Sequence, residues 1–386
     1  MTVLKLDPET GYLCDIARAW ANGVQGPVPP SSALDKDRFI RMVSSIPAMQ
    51  TLAPFIDPVI LTDLENSQLQ KSLQISHHRT IMMLLELERL VPALGEIGCR
   101  PVVLKGASLA LTVYDKPEHR WFIDLDLLVE RGEVEAVYEI LGRLGYKHAQ
   151  TAHPARYYDD YHFHRIMTGP QGVCVEVHWG ITLPRSVYTY DLDQLRFAAV
   201  EIPLGEASFL GPSAMDQVLH GVLQSVAGGF YDLRRFLDLH LLDSRLDDSE
   251  HHLLCARALR HNLATGLWLQ YHIREELLGA AMPPVINRLC RPGPSVVRIL
   301  ERLNGAAMCL SDQTRIPSGY AMLLHWLSVP SRYRTREVRR HLFPDSEGLL
   351  EAGLGVEGPV RPWEYCRLNM ERMLETARLM QRIVRG

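Results

Sequence analysis

The sequence predicts an α+β protein in which a small mixed β-sheet lies between an N-terminal and a C-terminal α-helical region. In residues 1–98, apolar residues recur at three- and four-residue intervals, as in amphipathic helices. From Cys99 to about residue 210, short apolar strands alternate with helices in the order β-α-β-α-β-β-β. From about residue 211 onward, the apolar residues again recur with the period of an α-helix. We therefore predict three regions, 1–98, 99–210 and 211–386.

The N-terminal region is predicted to contain helices separated by a loop rich in Gly, Pro and Ser. The first helix covers Pro8–Ala21, and Ser31 or Ser32 is placed to cap the next one. A longer helix runs from about Asn66 to Val91 and ends at Pro92. Its apolar stripe is interrupted at residues 76–80, where a break is expected.

The remaining elements follow from periodicity and turn residues. The core is predicted to contain strands Val102–Leu104, Ile123–Val129, Tyr146–Gln150, His162–Thr168 and Val173–Trp179, with helices Gly106–Tyr114 and Glu133–Leu144. The C-terminal region is predicted to contain helices Ser213–Ala227, Asp232–Leu242, Asp248–Leu278, Pro294–Leu303 and Pro362–Val384. The segment AAMPPVINRLCRPGPS is predicted to be a loop.

Composition excludes several classes of protein. The 386-residue chain carries a formal net charge of −4, which gives no general attraction for nucleic acid or an anionic membrane. Its seven cysteines are scattered and include no CxxC pair, which argues for a reducing compartment. The N-terminus lacks the pattern of a signal peptide, and no apolar run approaches the roughly 20 residues of a membrane span. We expect a cytoplasmic protein that makes no membrane contact and has no affinity for long nucleic acid.

The segment WFIDLDLLV carries the strongest functional signal. Asp124 and Asp126 are two residues apart on a predicted strand, so both side chains leave the same face. Aspartate is rare in strands, and two neighbouring carboxylates repel each other. A divalent cation offsets that repulsion, so the pattern predicts a site for Mg²⁺ or Mn²⁺ held by Asp124 and Asp126. Solvent-facing aspartates on an edge strand are the structural alternative.

Glu176 is the next candidate, because it lies in the middle of the apolar strand segment VCVEVHW. A charged residue there requires a partner or a metal. Glu176 could supply a third metal-binding carboxylate or the base that accepts the proton of an attacking hydroxyl. The alternative is a salt bridge to Arg120 or Arg165.

A strand-to-helix turn precedes the aspartates and could bind phosphate. Lys105 and Gly106 end the first strand, and Gly106 lets backbone amides approach an anion at a helix N-terminus. Ser108 can donate a hydroxyl, and Arg120 could contact a γ-phosphate. The turn is not a Walker motif, and a surface position for Arg120 is the alternative.

Three further groups of residues leave their roles open. His162, His164 and His178 could hold a transition metal, line the same cleft as Glu176, or pair with nearby carboxylates. The segment YDLRRFLDLHLL contains several charged residues: Asp232, Asp238, His240 and the two arginines 234 and 235. They could form ion pairs on the helix surface, or the arginines could present cations to a nucleotide. The arginine-rich segment 331–341 is either a solvated helix face or a contact for an acidic substrate.

Together these segments resemble a family in the nucleotidyltransferase fold, the superfamily shared with polymerase β, whose members are often described only as uncharacterised nucleotidyltransferases. The segments are LKGASLALTVY, an Arg before WFI and DLDLLV, then VEVHW, and the downstream DQVLH and DLRRFLDLHLL, over roughly residues 70–245. The chain departs from the wider superfamily where Ala107, rather than Gly or Ser, follows Gly106. Residues 107–123 also form a longer spacer than usual before Asp124.

The resemblance implies that residues 99–210 form a nucleotidyltransferase core. It implies that Asp124, Asp126 and Glu176 bind the metal and that Lys105, Gly106 and Ser108 form the phosphate turn. The expected reaction is Mg²⁺-dependent transfer of a nucleoside monophosphate from a nucleoside triphosphate (NTP) to an unidentified acceptor, with release of pyrophosphate. The acceptor could be a small molecule, a peptide or a protein. Two alternatives stay open: a DxD glycosyltransferase that uses a sugar nucleotide, and a non-catalytic binding module with the same fold.

Overall fold

The computed structural model describes residues 6–149, 158, 161–303, 318–343, 349 and 361–385. A seven-stranded mixed sheet confirms the predicted α+β class. Its strands are β1 (Val102–Leu104), β2 (Asp124–Leu128), β3 (Lys147–His148), β4 (His164–Thr168), β5 (Cys174–His178), β6 (Val200–Leu204) and β7 (Ala207–Gly211). They are ordered β3-β4-β5-β2-β1-β7-β6. The central strand β2 runs antiparallel to β1 and parallel to β5.

The N-terminal helices are α1 (Pro8–Ala21), α2 (Lys36–Ser45), α3 (Met49–Leu52) and α4 (Asp63–Gly95). Asp35 caps α2, so the prediction of a serine cap was wrong. The predicted break at residues 76–80 and the predicted end at Pro92 were also wrong, because α4 continues through both. Its buried leucines pack against the sheet on both sides of Pro92. This packing outweighs the hydrogen bond that the proline cannot donate.

The sheet region also contains α5 (Lys105–Thr112), α6 (Val134–Arg143) and α7 (Leu192–Phe197). The sequence analysis missed the β6–β7 hairpin, whose two-residue turn contains Gly205 at φ 56°. Pro203 lies in β6, which forms one edge of the sheet, where the missing N–H disrupts no ladder. The predicted strand Tyr146–Gln150 shortens to Lys147–His148, and Gln150 itself lies outside the described residues.

The C-terminal helices are α8 (Ala214–Gly228), α9 (Leu233–Asp243), α10 (Asp248–Arg260), α11 (Ala264–Leu278), α12 (Pro284–Cys290), α13 (Pro294–Leu303), α14 (Ser318–Ser328), α15 (Ser331–Leu342) and α16 (Pro362–Arg385). Two predictions were wrong. The single helix Asp248–Leu278 is divided at Asn262, which adopts a left-handed φ of 64° and donates its side-chain amide to the Val187 carbonyl. The predicted loop before residue 294 contains α12.

Two hydrophobic cores cover the two faces of the sheet. Helices α4 and α6 pack on one face, against Leu125 and Leu127 of β2. On the other face, one core joins the N-terminal helices to the C-terminal helices. In this core α1 lies against α11, and the Arg18 guanidinium donates to the Glu276 carbonyl at 2.8 Å. The division into three regions stays a prediction, but the two helical regions share a core.

Among the described residues, no helix combines the length and the apolar character needed to cross a membrane.

Candidate active site

Strand β2 presents Asp124 and Asp126 on the sheet face opposite to Leu125 and Leu127. Strand β5 runs parallel beside it, in a register that pairs Asp126 with Glu176. Paired residues of neighbouring strands point to the same side. The carboxylates of Asp126 and Glu176 therefore lie next to each other, and Asp124 lies two residues away on the same face. The structure thus brings the three predicted carboxylates together.

Two histidines complete this cluster. His178 Nε2 lies 2.9 Å from Asp126 Oδ1 and 3.2 Å from Glu176 Oε2. His164 of β4 places its Nε2 3.7 Å from Glu176 Oε2, and the His164 and His178 rings are 4.7 Å apart. The contacts of Glu176 are therefore with these histidines and Lys105, not with Arg120 or Arg165. His164, Glu176 and His178 have ligand atoms close enough to share one metal ion.

Lys105 is the cation of the cluster. Its Nζ lies 2.5 Å from Asp126 Oδ1 and 3.8 Å from Glu176 Oε2. Because Leu104 pairs with Asp126 in the β1–β2 ladder, the next residue is placed directly beside that carboxylate. Lys105 adopts φ 53°, a left-handed conformation that side-chain-bearing residues rarely accept. The turn holds this strain of about 1–2 kcal/mol where the lysine meets the aspartate.

Burial and charge separate the two aspartates. Burial alone would raise the pKa of Asp126, but the Lys105 ammonium and the His178 ring hold it well below its usual value. In the part of the chain that the structure describes, no cation forms an ion pair with Asp124, although the charges of Lys105 and Arg234 act on it from further away. Burial, together with the charges of Asp126 and Glu176, raises the pKa of Asp124 to about 6. The unpaired Asp124 carboxylate is therefore the one that most requires an added cation.

The pKa values of His164 and His178 are also shifted in opposite directions. Burial and the neighbouring rings of His178 and His162 lower the pKa of His164 to about 2. His164 is therefore a neutral imidazole at physiological pH, the form that binds metals. Burial opposes the charging of His178, but its bonds to Asp126 and Glu176 raise its pKa above the usual value.

A cavity of about 240 Å³ adjoins the carboxylate cluster, between the start of α5 and helices α8 and α9. Lys105, Gly106 and Asp124 line its inner end. A Cβ on Gly106 would lie 2.3 Å from the Phe122 Cβ, so glycine is required for α5 to approach the strand. Ser108 is fully buried with its hydroxyl directed toward Gly211, on the sheet side of α5. The structure thus places Lys105 and Gly106, but not Ser108, at the cavity.

Helix α9 and the residue before it bring both cations and carboxylates to the cavity, since Asp232 and Asp238 line it as well. Arg234 and Arg235 of α9 both line it. Arg234 is held by Asp232 at 2.7 Å, and these contacts lower the pKa of Asp232 to about 2 against the effect of burial. Arg235 lies 4.0 Å from Asp232 and donates to the Gln224 carbonyl. Burial and the neighbouring arginines lower the pKa of Arg235, as expected where cations outnumber their partners.

Arg120 also borders the cavity, but its guanidinium is engaged. It donates to both Asp238 oxygens, at 2.7 and 2.8 Å, and to the Trp121 carbonyl at 2.6 Å. Tyr114 donates to the same Asp238 carboxylate. The structure therefore joins Arg120 to α9 by a buried ion pair, an arrangement that neither sequence alternative had described.

We expect Arg120→Ala to lower the free energy of unfolding by about 3 kcal/mol, because it leaves the Asp238 carboxylate buried and uncompensated. Urea denaturation measures this change, with Arg143→Ala as the control, since the Arg143 side chain is 72% exposed. A variant of unchanged stability that bound nucleotide weakly would instead assign Arg120 to phosphate binding.

The sequence analysis did not select three polar residues of α8 that line the cavity, Gln217, His220 and Gln224. They recur at three- and four-residue intervals along an otherwise apolar helix, and this polar stripe was the available signal. Burial and the Lys105 charge lower the pKa of His220 to about 3, so its ring is neutral at physiological pH. His240, by contrast, lies outside the cavity lining and contacts the Ala21 carbonyl.

The arginine-rich segment 331–341 forms most of α15. Several of its arginines bond to the protein itself: Arg332 donates to Asn262, and Arg334 donates to the carbonyls of Leu327 and Val329. These contacts give the segment a structural role beside the two roles considered from the sequence.

The carboxylate cluster fits a divalent metal. Asp126 Oδ2 is buried and has no hydrogen-bond partner among the described residues, although Oδ1 has two. Three carboxylates supply the oxygen ligands that Mg²⁺ and Mn²⁺ prefer. The imidazoles of His164 and His178 add donors that suit Mn²⁺ better than Mg²⁺.

A mixed sheet with paired aspartates on one strand, a glutamate on the next and a cleft closed by helices defines a nucleotidyltransferase-fold domain. Residues 62–279, more than half of the chain, match the family described as uncharacterised nucleotidyltransferase. The chain belongs to this family, which confirms the resemblance read from the sequence, and the family description indicates transferase activity on a nucleotide. Comparisons with curated proteins and with solved structures found no match.

Proposed function

We propose that this protein transfers a nucleoside monophosphate from an NTP to an acceptor hydroxyl or phosphate, with release of pyrophosphate and in dependence on Mg²⁺ or Mn²⁺. One observation carries the proposal. The carboxylates of Asp124, Asp126 and Glu176 meet on adjacent strands, and Asp124 lines a cavity that Lys105, Arg234 and Arg235 also line. Negative groups for a metal and positive groups for a polyphosphate therefore face the same space.

The residues present would hold the metal in a simple way. Asp124 and Asp126 would supply oxygen ligands, and Glu176 with His164 would supply further ligands on the neighbouring strands. When bound, the metal would neutralise the triphosphate and the departing pyrophosphate. Lys105 now compensates Asp126, so it is placed to turn toward a phosphate oxygen once the carboxylate has another cation.

The triphosphate fits the cavity between α5 and α9. Its negative charge would lie between Lys105 and the two arginines, with the backbone at Gly106 close to the phosphates. Gln217, His220 and Gln224 offer neutral polar contacts to the remainder of the nucleotide. This placement leaves Arg120, Asp232 and Asp238 of the lining in the ion pairs they already form.

The transfer step is a displacement at the α-phosphorus. The acceptor oxygen forms a bond to that phosphorus while the bond to the oxygen bridging to the β-phosphorus breaks, and the electron pair leaves with pyrophosphate. The acceptor proton passes to the Glu176 carboxylate, which is half-buried at the edge of the cluster. Arg234 and Arg235 stabilise the charge that develops on the leaving group.

Asp124→Asn tests the metal assignment. We expect the variant to fold and to lose Mg²⁺-dependent NTP affinity, measured by calorimetry with each NTP, because a proposed metal-binding carboxylate that lines the cavity is removed. A folded variant with unchanged affinity would contradict the metal site. Titration with sugar nucleotides in parallel separates the glycosyltransferase alternative, which requires that they bind and that NTPs do not.

Charge reversal at the arginine wall tests the nucleotide position. We expect Arg235→Glu to weaken Mg²⁺·NTP binding by about tenfold or more, and by a larger factor at low salt, where screening is weakest. Arg143→Glu is the matched control, because it makes the same change of charge at a side chain that is 72% exposed. Equal affinities of the two variants would show that the phosphates bind elsewhere.

Family membership favours nucleotidyl transfer over glycosyl transfer. The non-catalytic alternative predicts nucleotide binding without turnover, and pyrophosphate release decides between it and the enzyme.

A further inference from the structure

A second cavity, of about 280 Å³, lies between helices α2 and α3 on one side and α4 on the other. Apolar residues form somewhat more than half of its lining, with Ile40 and Val43 from α2, Met49 from α3, and Leu69 and Leu73 from α4. The polar part of the lining includes Ser44, Gln68, Ser72 and Ser76. Helix α4 begins at a complete capping box formed by Thr62 and Glu65, which fixes this end of the wall. The cavity is therefore built from regular elements.

Gln50 gives this cavity a specific polar contact. The side chain lines the cavity in a residue only 9% exposed, and its Oε1 has no hydrogen-bond partner among the described residues. A buried acceptor of this kind favours a ligand that donates a hydrogen bond. Among the described residues that line this cavity, Glu65 is the ionisable one and none is Lys or Arg. Charge thus selects a neutral or cationic ligand and disfavours an anion such as a nucleotide.

Trp121 connects the two cavities. It lines the second cavity, while the Arg234 guanidinium lies 5.2 Å from the centre of its ring and borders the first cavity. The Trp121 carbonyl also accepts from Arg120 and Arg234. Three residues further along the chain, Asp124 enters the carboxylate cluster. A molecule in the second cavity would therefore lie close to the nucleotide, and the part of it that carries the attacking oxygen has to extend past Trp121 to reach the α-phosphorus.

We infer that the second cavity binds the acceptor, and that the acceptor is a largely apolar, neutral or cationic molecule that donates a hydrogen bond from a hydroxyl or N–H group to Gln50. This inference rests on the proposed function, since it assigns the acceptor class for that reaction. A nucleotidyl acceptor has to be bound together with the NTP, next to it but not in its place.

The binding test uses N-phenyl-1-naphthylamine, a neutral apolar fluorophore with one N–H donor. We expect the protein to bind it with a rise in fluorescence, and Leu73→Trp, which fills the cavity, to weaken binding by about tenfold or more. Leu64→Trp is the matched control, because Leu64 lies on the same helix, is 69% exposed and is outside the cavity lining. Equal binding by the two variants, or no binding by the parent protein, would overturn the inference.

A second comparison tests the role of Gln50. We expect Gln50→Leu to weaken N-phenyl-1-naphthylamine binding by about fivefold, because the hydrogen-bond acceptor is lost. Binding of 1-phenylnaphthalene, which lacks the N–H group, should not weaken. The same loss for both probes would assign the effect to packing and remove the argument for a donor on the acceptor molecule.

A third measurement separates this inference from the proposed function. With saturating Mg²⁺·NTP, we expect the probe affinity to stay within about twofold of its value without nucleotide, because both ligands bind at once. Asp124→Asn should lose the nucleotide and keep the probe. Displacement of the probe by NTP would overturn the acceptor assignment even if the nucleotide site is correct. Failure of the parent protein to bind any NTP would overturn the proposed function, and the acceptor role with it.

Discussion

Glu176→Gln is expected to lower pyrophosphate release by about 10²-fold or more while nucleotide affinity changes little. The amide keeps the size of the side chain and its contact with His178, but it cannot accept the acceptor proton and is a poor metal ligand. The measurement is pyrophosphate release from each Mg²⁺·NTP in the presence of a protein-free extract that supplies small-molecule acceptors. Glu139→Gln is the matched control, since the Glu139 side chain is 73% exposed on α6.

The same experiment distinguishes three outcomes. A variant that releases pyrophosphate at the parent rate would reduce Glu176 to a structural partner of Lys105 and the histidines. A variant that loses nucleotide affinity together with turnover would assign Glu176 to metal binding rather than to proton transfer. A parent protein that binds NTP and releases no pyrophosphate with any extract would favour the non-catalytic binding module.

Opposite changes in stability are expected for the two aspartates. Asp126→Asn should lower the free energy of unfolding by about 3 kcal/mol, because it leaves Lys105 and the ring of His178 without their buried counter-charge. Asp124→Asn should raise it by about 2 kcal/mol at about pH 8 in the absence of divalent metal, since its ionised form is disfavoured in the fold. Urea denaturation in the presence of a chelator measures both changes.

The pH dependence follows from the two pKa shifts. The pKa of Asp124 is raised from 3.8 to about 6, so its ionisation reduces stability as pH rises through this interval. The stabilisation by Asp124→Asn should therefore vanish below about pH 4 and be complete above about pH 7. Asp126 has a lowered pKa, so its contribution is present above pH 3.8 and is lost only in stronger acid. A gain for Asp124→Asn that did not change with pH would contradict this electrostatic origin.

Sequence reasoning treated the two aspartates as one repelling pair whose repulsion a divalent cation offsets. The strand alternation that it used is correct for Asp124 and Asp126, and the apolar context identified Glu176. The sequence did not reveal that Lys105 and His178 compensate only Asp126. That asymmetry depends on the register of β1, β2 and β5, and register is decided by packing across strands that are distant in the chain.

Arg120 illustrates the same limit. An arginine four residues before a metal-binding aspartate is a reasonable phosphate ligand, and nothing local distinguishes that role from an ion pair. Its partner, Asp238, lies more than 100 residues further along the chain, on a helix whose orientation depends on the complete core. The helix itself was predicted correctly within one residue at each end. The periodicity of apolar residues carries no information about the contact between Arg120 and Asp238.

The cavity was harder to predict than the catalytic cluster. The carboxylates lie on two strands whose patterns are visible over five residues each. The cavity needs α5, α8 and α9 to converge, and that convergence depends on the β6–β7 hairpin, which leads from the sheet into α8 and was missed. The polar stripe on α8 can be seen in the sequence. Its role as cavity lining can be inferred only when the face of α8 that packs against the sheet is known.

The shared core of the N-terminal and C-terminal helices has a consequence for biosynthesis. Helix α1 is made first, yet the helix it packs against, α11, begins at Ala264. At the usual rate of chain elongation, the apolar face of α1 stays without its partner for on the order of tens of seconds. Contacts of such high sequence separation also form slowly in refolding. We therefore expect the N-terminal helices to join the fold last, and shielding of their apolar faces to govern the yield of native protein.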